Sequence, residues 1–242
     1  MTPGQVTPGA TRLRVATYNT RDFLDDRRAA ARVVRRIDPD VLCLQEVPRR
    51  LFGSRRVAAF AQECGLRPAG PHRGSGGTTI FLGERVQLDA AWHRRLSVAV
   101  LTRTRGYAVA RVRLPGRPPV VVASVHLSLH AGERHAHTVQ IVRALADLAA
   151  ESSGSAGPLQ RTVLAGDLNE LDTGNAWRLI GSRMRLVSPT EPTYPARRPR
   201  TLLDVVFAST DLEVLPHPRI DLDEDDVLAA SDHRPVWVDL AV

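Results

Sequence analysis

The chain has 242 residues, 43% of them hydrophobic, and carries 33 basic against 26 acidic side chains for a formal charge of +7. That length and apolar fraction suffice for a two-layered core in one domain; no stretch approaches the roughly 18 consecutive apolar residues of a membrane span, and the two cysteines indicate no disulfide framework. Every basic residue is arginine, whose planar fork suits phosphate, although an arginine- and alanine-rich bias by itself names no polyanion.

Residues 1–11 are rich in Pro, Gly and Thr and lack the apolar stretch of a signal peptide, so we expect a flexible segment ahead of a single domain at 12–242, soluble and cytoplasmic. Residues 13–18 alternate with period two and predict a strand. Residues 27–37 follow with Ala30, Val33, Val34 and Ile37 at helical spacing, stopped by Pro39. The run 41–45 is nearly all apolar, as in a strand covered on both faces, and makes Cys43 a buried thiol; 55–64 predict a helix ended by Gly65. In the middle, 79–82, 96–101, 108–114 and 120–125 are short strands separated by turns such as Pro115-Gly116, a spacing that favours antiparallel pairing. Helical spacing returns at 133–150 through Ile141, Leu145 and Leu148. The Ser- and Gly-rich stretch 152–158 predicts a surface loop, 162–165 a strand and 172–180 a short helix. The last strands are 203–208, 212–215 and 235–240, and the acidic run 221–226 reads as a solvated turn. Together these predict an α/β fold: two packed, mostly antiparallel mixed sheets covered outside by helices.

The chemistry sits where strands end. Tyr18-Asn19, Gln45-Glu46, His126, Gly166-Asp167-Leu168-Asn169 and Ser231-Asp232-His233 each follow a predicted strand or precede one, and Asp204 lies inside the apolar run Leu202-Leu203-Asp204-Val205-Val206-Phe207. Packing does not explain apolar strands that repeatedly deliver one ionisable or amide group, because burying such groups costs several kcal/mol unless they are paired or bind metal.

In order and local context these segments resemble the endonuclease/exonuclease/phosphatase superfamily, which includes deoxyribonuclease I, abasic-site endonucleases and neutral sphingomyelinases. The resemblance runs from Leu13 to Val238, and Leu42-Cys43-Leu44-Gln45-Glu46, Gly166-Asp167-Leu168-Asn169 and Ser231-Asp232-His233-Arg234-Pro235-Val236 carry it. It implies a four-layered α/β sandwich and metal-dependent phosphoester hydrolysis.

The resemblance makes Glu46 the principal ligand of Mg²⁺, with Mn²⁺ as the alternative, and a hard cation of this kind takes one or two carboxylates and keeps several waters. Asn19 and Asp232 assist it. His233 is the expected general base, starting from an ordinary pKa near 6.5, with Asp204 fixing its tautomer; Asp167 positions water and competes as the base. Asn169 and His126 would hydrogen-bond the phosphoryl oxygens, His126 also protonating the leaving oxygen. His126 resembles the deoxyribonuclease and sphingomyelinase branches, and Arg21 stands where abasic-site enzymes carry Asp, which argues against abasic-site repair and leaves Asp22 as the acid nearest that position. The expected partner is a phosphodiester, DNA or RNA ahead of a lipid head group, with phosphomonoesterase and a catalytically silent phosphate-binding relative as alternatives. His130, His135 and His137 have no zinc-ligand spacing. Arg134 and Gln140 read equally as structural or substrate-facing, and His72 and Arg73 beside Gly74-Ser75-Gly76-Gly77 read as a glycine-rich turn ahead of a phosphate loop.

Overall fold

The computed structural model describes residues 11–50, 52–71, 74–99, 104–153, 159–216 and 219–242. In chain order the elements are β1 (Arg12–Asn19), α1 (Arg27–Ile37), β2 (Val41–Gln45), α2 (Gly53–Cys64), β3 (Arg67–Pro68), β4 (Thr79–Leu82), β5 (Gln87–Leu96), β6 (Arg105–Arg113) and β7 (Val120–His126). They continue with α3 (Ala131–Ser153), β8 (Thr162–Asp167), α4 (Asn175–Gly181), β9 (Arg185–Leu186), β10 (Asp204–Ala208), β11 (Glu213–Leu215), α5 (Glu224–Ala230) and β12 (Val236–Ala241).

Two six-stranded sheets result, ordered β11-β12-β1-β2-β4-β3 and β5-β6-β7-β8-β10-β9. Among the described residues, β1/β2 and β7/β8 pair in parallel and the other strand pairs are antiparallel. Period-two alternation sorts the side chains. Leu13, Val15, Val41 and Cys43 of the first sheet meet Ala110, Val122, Val163 and Val206 of the second in the central core. On the opposite face of the first sheet, Ala16, Tyr18, Leu42 and Leu44 pack against Val33, Val34, Phe60 and Val227 of α1, α2 and α5. The outer face of the second sheet buries Val109, Val121 and Phe207 against Ile141, Leu145 and Trp177 of α3 and α4. Helices, sheet, sheet, helices is the predicted sandwich, and both cysteines are buried and free.

Helix α1 has the predicted bounds because its ends are chemically marked. Asp26 accepts hydrogen bonds from the N–H groups of Arg28 and Ala29, and Asp38 closes the helix in a left-handed conformation ahead of Pro39. Two predictions need correction. The strand placed at 96–101 is β5, ending at Leu96: this edge strand is half exposed and shifts register between Leu88 and Ala90, so no clean alternation marks it, and 100–101 lie outside the described residues. The acidic run 221–226 is not simply a turn: Asp223 caps α5 through the N–H groups of Asp225 and Asp226, and Asp226 pairs with Arg32. The expected segments at 1–10 and 154–158 fall outside the described residues.

Candidate active site

Parallel β1 and β2 run in register, Asn19 opposite Gln45, so Asn19 and the following Glu46 emerge at one edge. In the second sheet His126 at the end of β7 lies opposite Asp167 at the end of β8, and Asp167 lies opposite Asp204, where antiparallel β10 begins. The segment Ser231–His233 enters the same edge ahead of β12. All eight predicted site residues therefore meet at one end of the sandwich.

A hydrogen bond joins the sheets there: the Asn19 amide donates to Asp167 Oδ2 at 3.1 Å, while Asn19 Oδ1 accepts the Arg21 N–H at 3.1 Å. Asn169, in a left-handed turn, donates its backbone N–H to Asp167 Oδ1 at 2.8 Å and its amide N–H to the Leu127 carbonyl at 3.0 Å. Asn tolerates that conformation better than most residues. His126 Nε2 stands 3.6 Å from Asp167 Oδ2 and 3.8 Å from Glu46 Oε1. Glu46 is itself left-handed, at φ 51, and this turn points its carbonyl at the N–H of Asp22. A side chain this bulky pays strain for such a backbone, a cost that recurs at functional sites.

His233 Nδ1 and Asp204 Oδ2 lie 2.8 Å apart, which assigns the ring proton to Nδ1 and turns Nε2 toward Asp167 Oδ2 at 3.9 Å. Burial opposes a charge on His233, but the charge and hydrogen bond of Asp204, with Asp167 and Asp232, raise it to about 9. Burial, reinforced by Asp204, raises Asp167 to about 7 against the hydrogen bonds from Asn169 and Asn19 and the charge of His233. Both groups of the pair are thus shifted toward their protonated forms from their ordinary values, the histidine upward from the expected 6.5.

Several supporting residues were not legible in the sequence. Thr193 Oγ1 donates to Asp204 Oδ2 at 2.6 Å and accepts the N–H groups of Leu203 and Asp204; only the bracketing prolines of Pro192-Thr193-Tyr194-Pro195 hint at a rigid segment. The Tyr194 ring lies 4.8 Å from that of His233. Ser231, which the sequence motif already marked, ties the loop ahead of β12 to the end of β1 in the same sheet, donating to the Asn19 carbonyl at 2.7 Å and accepting the His233 N–H. Behind the site, Gln45 donates to Ser124 Oγ at 3.1 Å across the sandwich.

Other candidates resolve as follows. Arg21 sits at the rim, 3.5 Å from Asp232 and 3.2 Å from Asp25, so Asp232 faces a cation. Arg134 bonds Glu170 and the carbonyls of Ser128 and Leu129, pinning the loop after His126, whereas Gln140 is exposed. His137 is buried against the Ser97 carbonyl and His130 and His135 are exposed, so the three form no cluster. His72 and Arg73 lie outside the described residues. Among those residues, the one group of three potential metal donors is Asp167, Asp204 and His233, with ligand atoms within 4.8 Å of one another. Two of its members already hold each other, and Glu46 beside them is partly open to solvent.

No helix of the described residues is long and apolar enough to cross a membrane. Comparison with curated proteins finds no match to the sequence. Among solved structures, the fold is similar to the mannosyl-6-phosphatase of Bacteroides thetaiotaomicron VPI-5482, with TM-score 0.74, 17% identity, and coverage of 95% of this chain and 100% of that one. It is similar to ANGEL2, a 2′,3′-cyclic phosphatase, with TM-score 0.73, 17% identity and 96% of each chain covered. A functionally unknown conserved protein from Enterococcus faecalis V583 matches with TM-score 0.73, 20% identity, and coverage of 95% of this chain and 99% of that one. Residues 16–233 match the Endonuclease/Exonuclease/phosphatase family, a span that holds every site residue above. The chain belongs to that family and is a phosphoesterase.

Proposed function

We propose that this protein hydrolyses a phosphodiester with the help of Mg²⁺, or Mn²⁺ in its place. The observation that carries the reading is the convergence of Glu46, His126, Asp167 and the His233–Asp204 pair, with Asn19 bridging the two sheets to Asp167. The donor set suits a hard cation: carboxylate and amide oxygens crowd the edge, and the two thiols are buried elsewhere. Glu46 would be the principal ligand, with Asn19 and Asp232 assisting, Asp232 weakened by Arg21. A divalent cation bound there would neutralise charge on a phosphoryl oxygen.

The chain's own residues account for the proton movements. Water held between Asp167 and His233 attacks phosphorus, and its proton passes to that pair, which titrates as one system. Asp204 keeps the imidazole in the tautomer that faces the water. Asn169 and His126 donate to the phosphoryl oxygens; the bond from phosphorus to the leaving oxygen breaks opposite the attack, and that oxygen takes a proton from His126.

By their names, similar structures act on a cyclic diester and on a sugar monoester, so substrate class needs its own test. We expect bis-(p-nitrophenyl) phosphate to be cleaved with Mg²⁺, p-nitrophenyl phosphate more slowly, and EDTA to abolish both activities. Full activity in EDTA, or a preference for the monoester, would sink this reading.

A further inference from the structure

Beside the reaction centre runs a groove of about 620 Å³ whose lining includes Arg49, Arg50, Arg55 and Arg95, and among the described residues no carboxylate lines it. Two features tie it to the site. Arg49 and Arg50 follow Glu46 directly after Val47-Pro48. Arg95 belongs to the row of strand partners that carries the chemistry: Arg95 lies opposite Gly106, Gly106 opposite His126, and His126 opposite Asp167. Register partners share a sheet face, and at about 4.8 Å per strand Arg95 is spaced about 10 Å from His126.

The groove is built rather than incidental. Its floor is the glycine turn against β6: a Cβ on Gly76 would meet the Arg105 backbone at 2.3 Å, and one on Gly106 would meet the Arg94 carbonyl and Ser75 at 2.4 Å. Val47 donates its N–H to the Gly77 carbonyl at 2.9 Å, locking this turn to the loop that bears Glu46. Arg49 is anchored on the Thr104 carbonyl at 3.1 Å and on the Thr104 hydroxyl. Arg55 lies over the Phe52 ring at 5.7 Å. Arg50, Arg55 and Arg95 have no carboxylate partner among the described residues, unlike Arg27, Arg32, Arg85 and Arg113 elsewhere on the surface. Converging cations without counter-charges, arranged along a concave surface, suit an anion.

We propose that this groove holds a second phosphate of the substrate, carried further along a nucleic-acid strand than the phosphate that is cleaved. The proposal rests on the hydrolytic reading for the direction of the strand, and its test separates the two. Anisotropy of a short fluorescein-labelled single-stranded DNA is measured with the EDTA-treated full chain across a salt series. Arg50→Ala/Arg95→Ala is compared with Arg28→Ala/Arg183→Ala, which removes equal charge from exposed positions outside the groove lining. The groove variant is expected to bind about tenfold more weakly or worse, with the salt slope reduced by about 1.4, and the control variant to bind nearly as the parent does. Equal losses in the two variants, or none in the groove variant, overturn the proposal whether or not the protein hydrolyses anything. A groove variant that loses binding to phosphatidylserine vesicles but keeps DNA binding overturns it too. Where turnover is measurable, kcat/KM for the DNA falls in the groove variant while cleavage of bis-(p-nitrophenyl) phosphate is unchanged; equal falls on both substrates contradict a separate phosphate site.

Discussion

Asp204 shows how little slack the site has. Its Oδ2 receives Thr193 Oγ1 and His233 Nδ1, and its Oδ1 is buried without a hydrogen-bond partner. Leaving a buried polar atom unpaired costs about 1–3 kcal/mol, so the remaining bonds must hold the carboxylate. Thr193→Val removes one of them and is expected to lower kcat about tenfold with KM little changed, because the imidazole loses its alignment rather than its contact with substrate; an unchanged kcat would reduce Thr193 to packing. The same cluster sets a pH dependence. His233 is raised from 6.5 to about 9 and Asp167 from 3.8 to about 7, so both bind more protons folded than unfolded. Their contribution to stability is therefore lost as pH rises, for Asp167 between about 4 and 7 and for His233 between about 6.5 and 9. In EDTA, the melting temperature advantage of wild type over His233→Asn is expected to shrink from pH 6.5 to pH 9, and an advantage that grows would contradict the ion pair. The candidate site residues that the fold brings to one edge were legible because strand ends and motif order mark them. Thr193, Tyr194 and the contact between Arg21 and Asp232 were not, since each depends on segments brought together only by the fold.

At the scale of elements, the parallel pair β7/β8 places His126 beside Asp167, and Gly166 makes the close approach that this needs. At φ 152, a Cβ on Gly166 would lie 2.0 Å from the Val125 carbonyl oxygen. Gly166→Ala is expected to destabilise the protein by about 2–3 kcal/mol, about 5–10 °C in melting temperature, and to lower activity as His126 and Asp167 separate. A variant that melts like wild type would show that the strands can part without cost. Strong local signals carried the element assignments: α1 has an aspartate cap, helical spacing and a proline stop, and β2 is continuously apolar. Edge strand β5 lacked a signal because its bulge breaks the alternation that burial would otherwise impose. The two-residue strands β3 and β9 are too short to have a period at all.

Across the whole molecule, two sheets buried on both faces give a rigid frame from which loops project at one end, and the family relation follows from that frame together with the residues on it. The layering was foreseeable from strands mixed with amphipathic helices. The groove was not: Arg95 and Arg50 are distant in sequence, and only the sheet register and the glycine turn bring them to one surface. The central claim is that hydrolysis depends on Glu46 and on the His233–Asp204 pair. It is tested most directly by the turnover of bis-(p-nitrophenyl) phosphate at saturating Mg²⁺ by wild type, Glu46→Gln and His233→Ala, each shown to be folded by circular dichroism. Both variants are expected to lose about 10²–10⁴-fold in kcat; either one retaining turnover close to wild type would contradict the account.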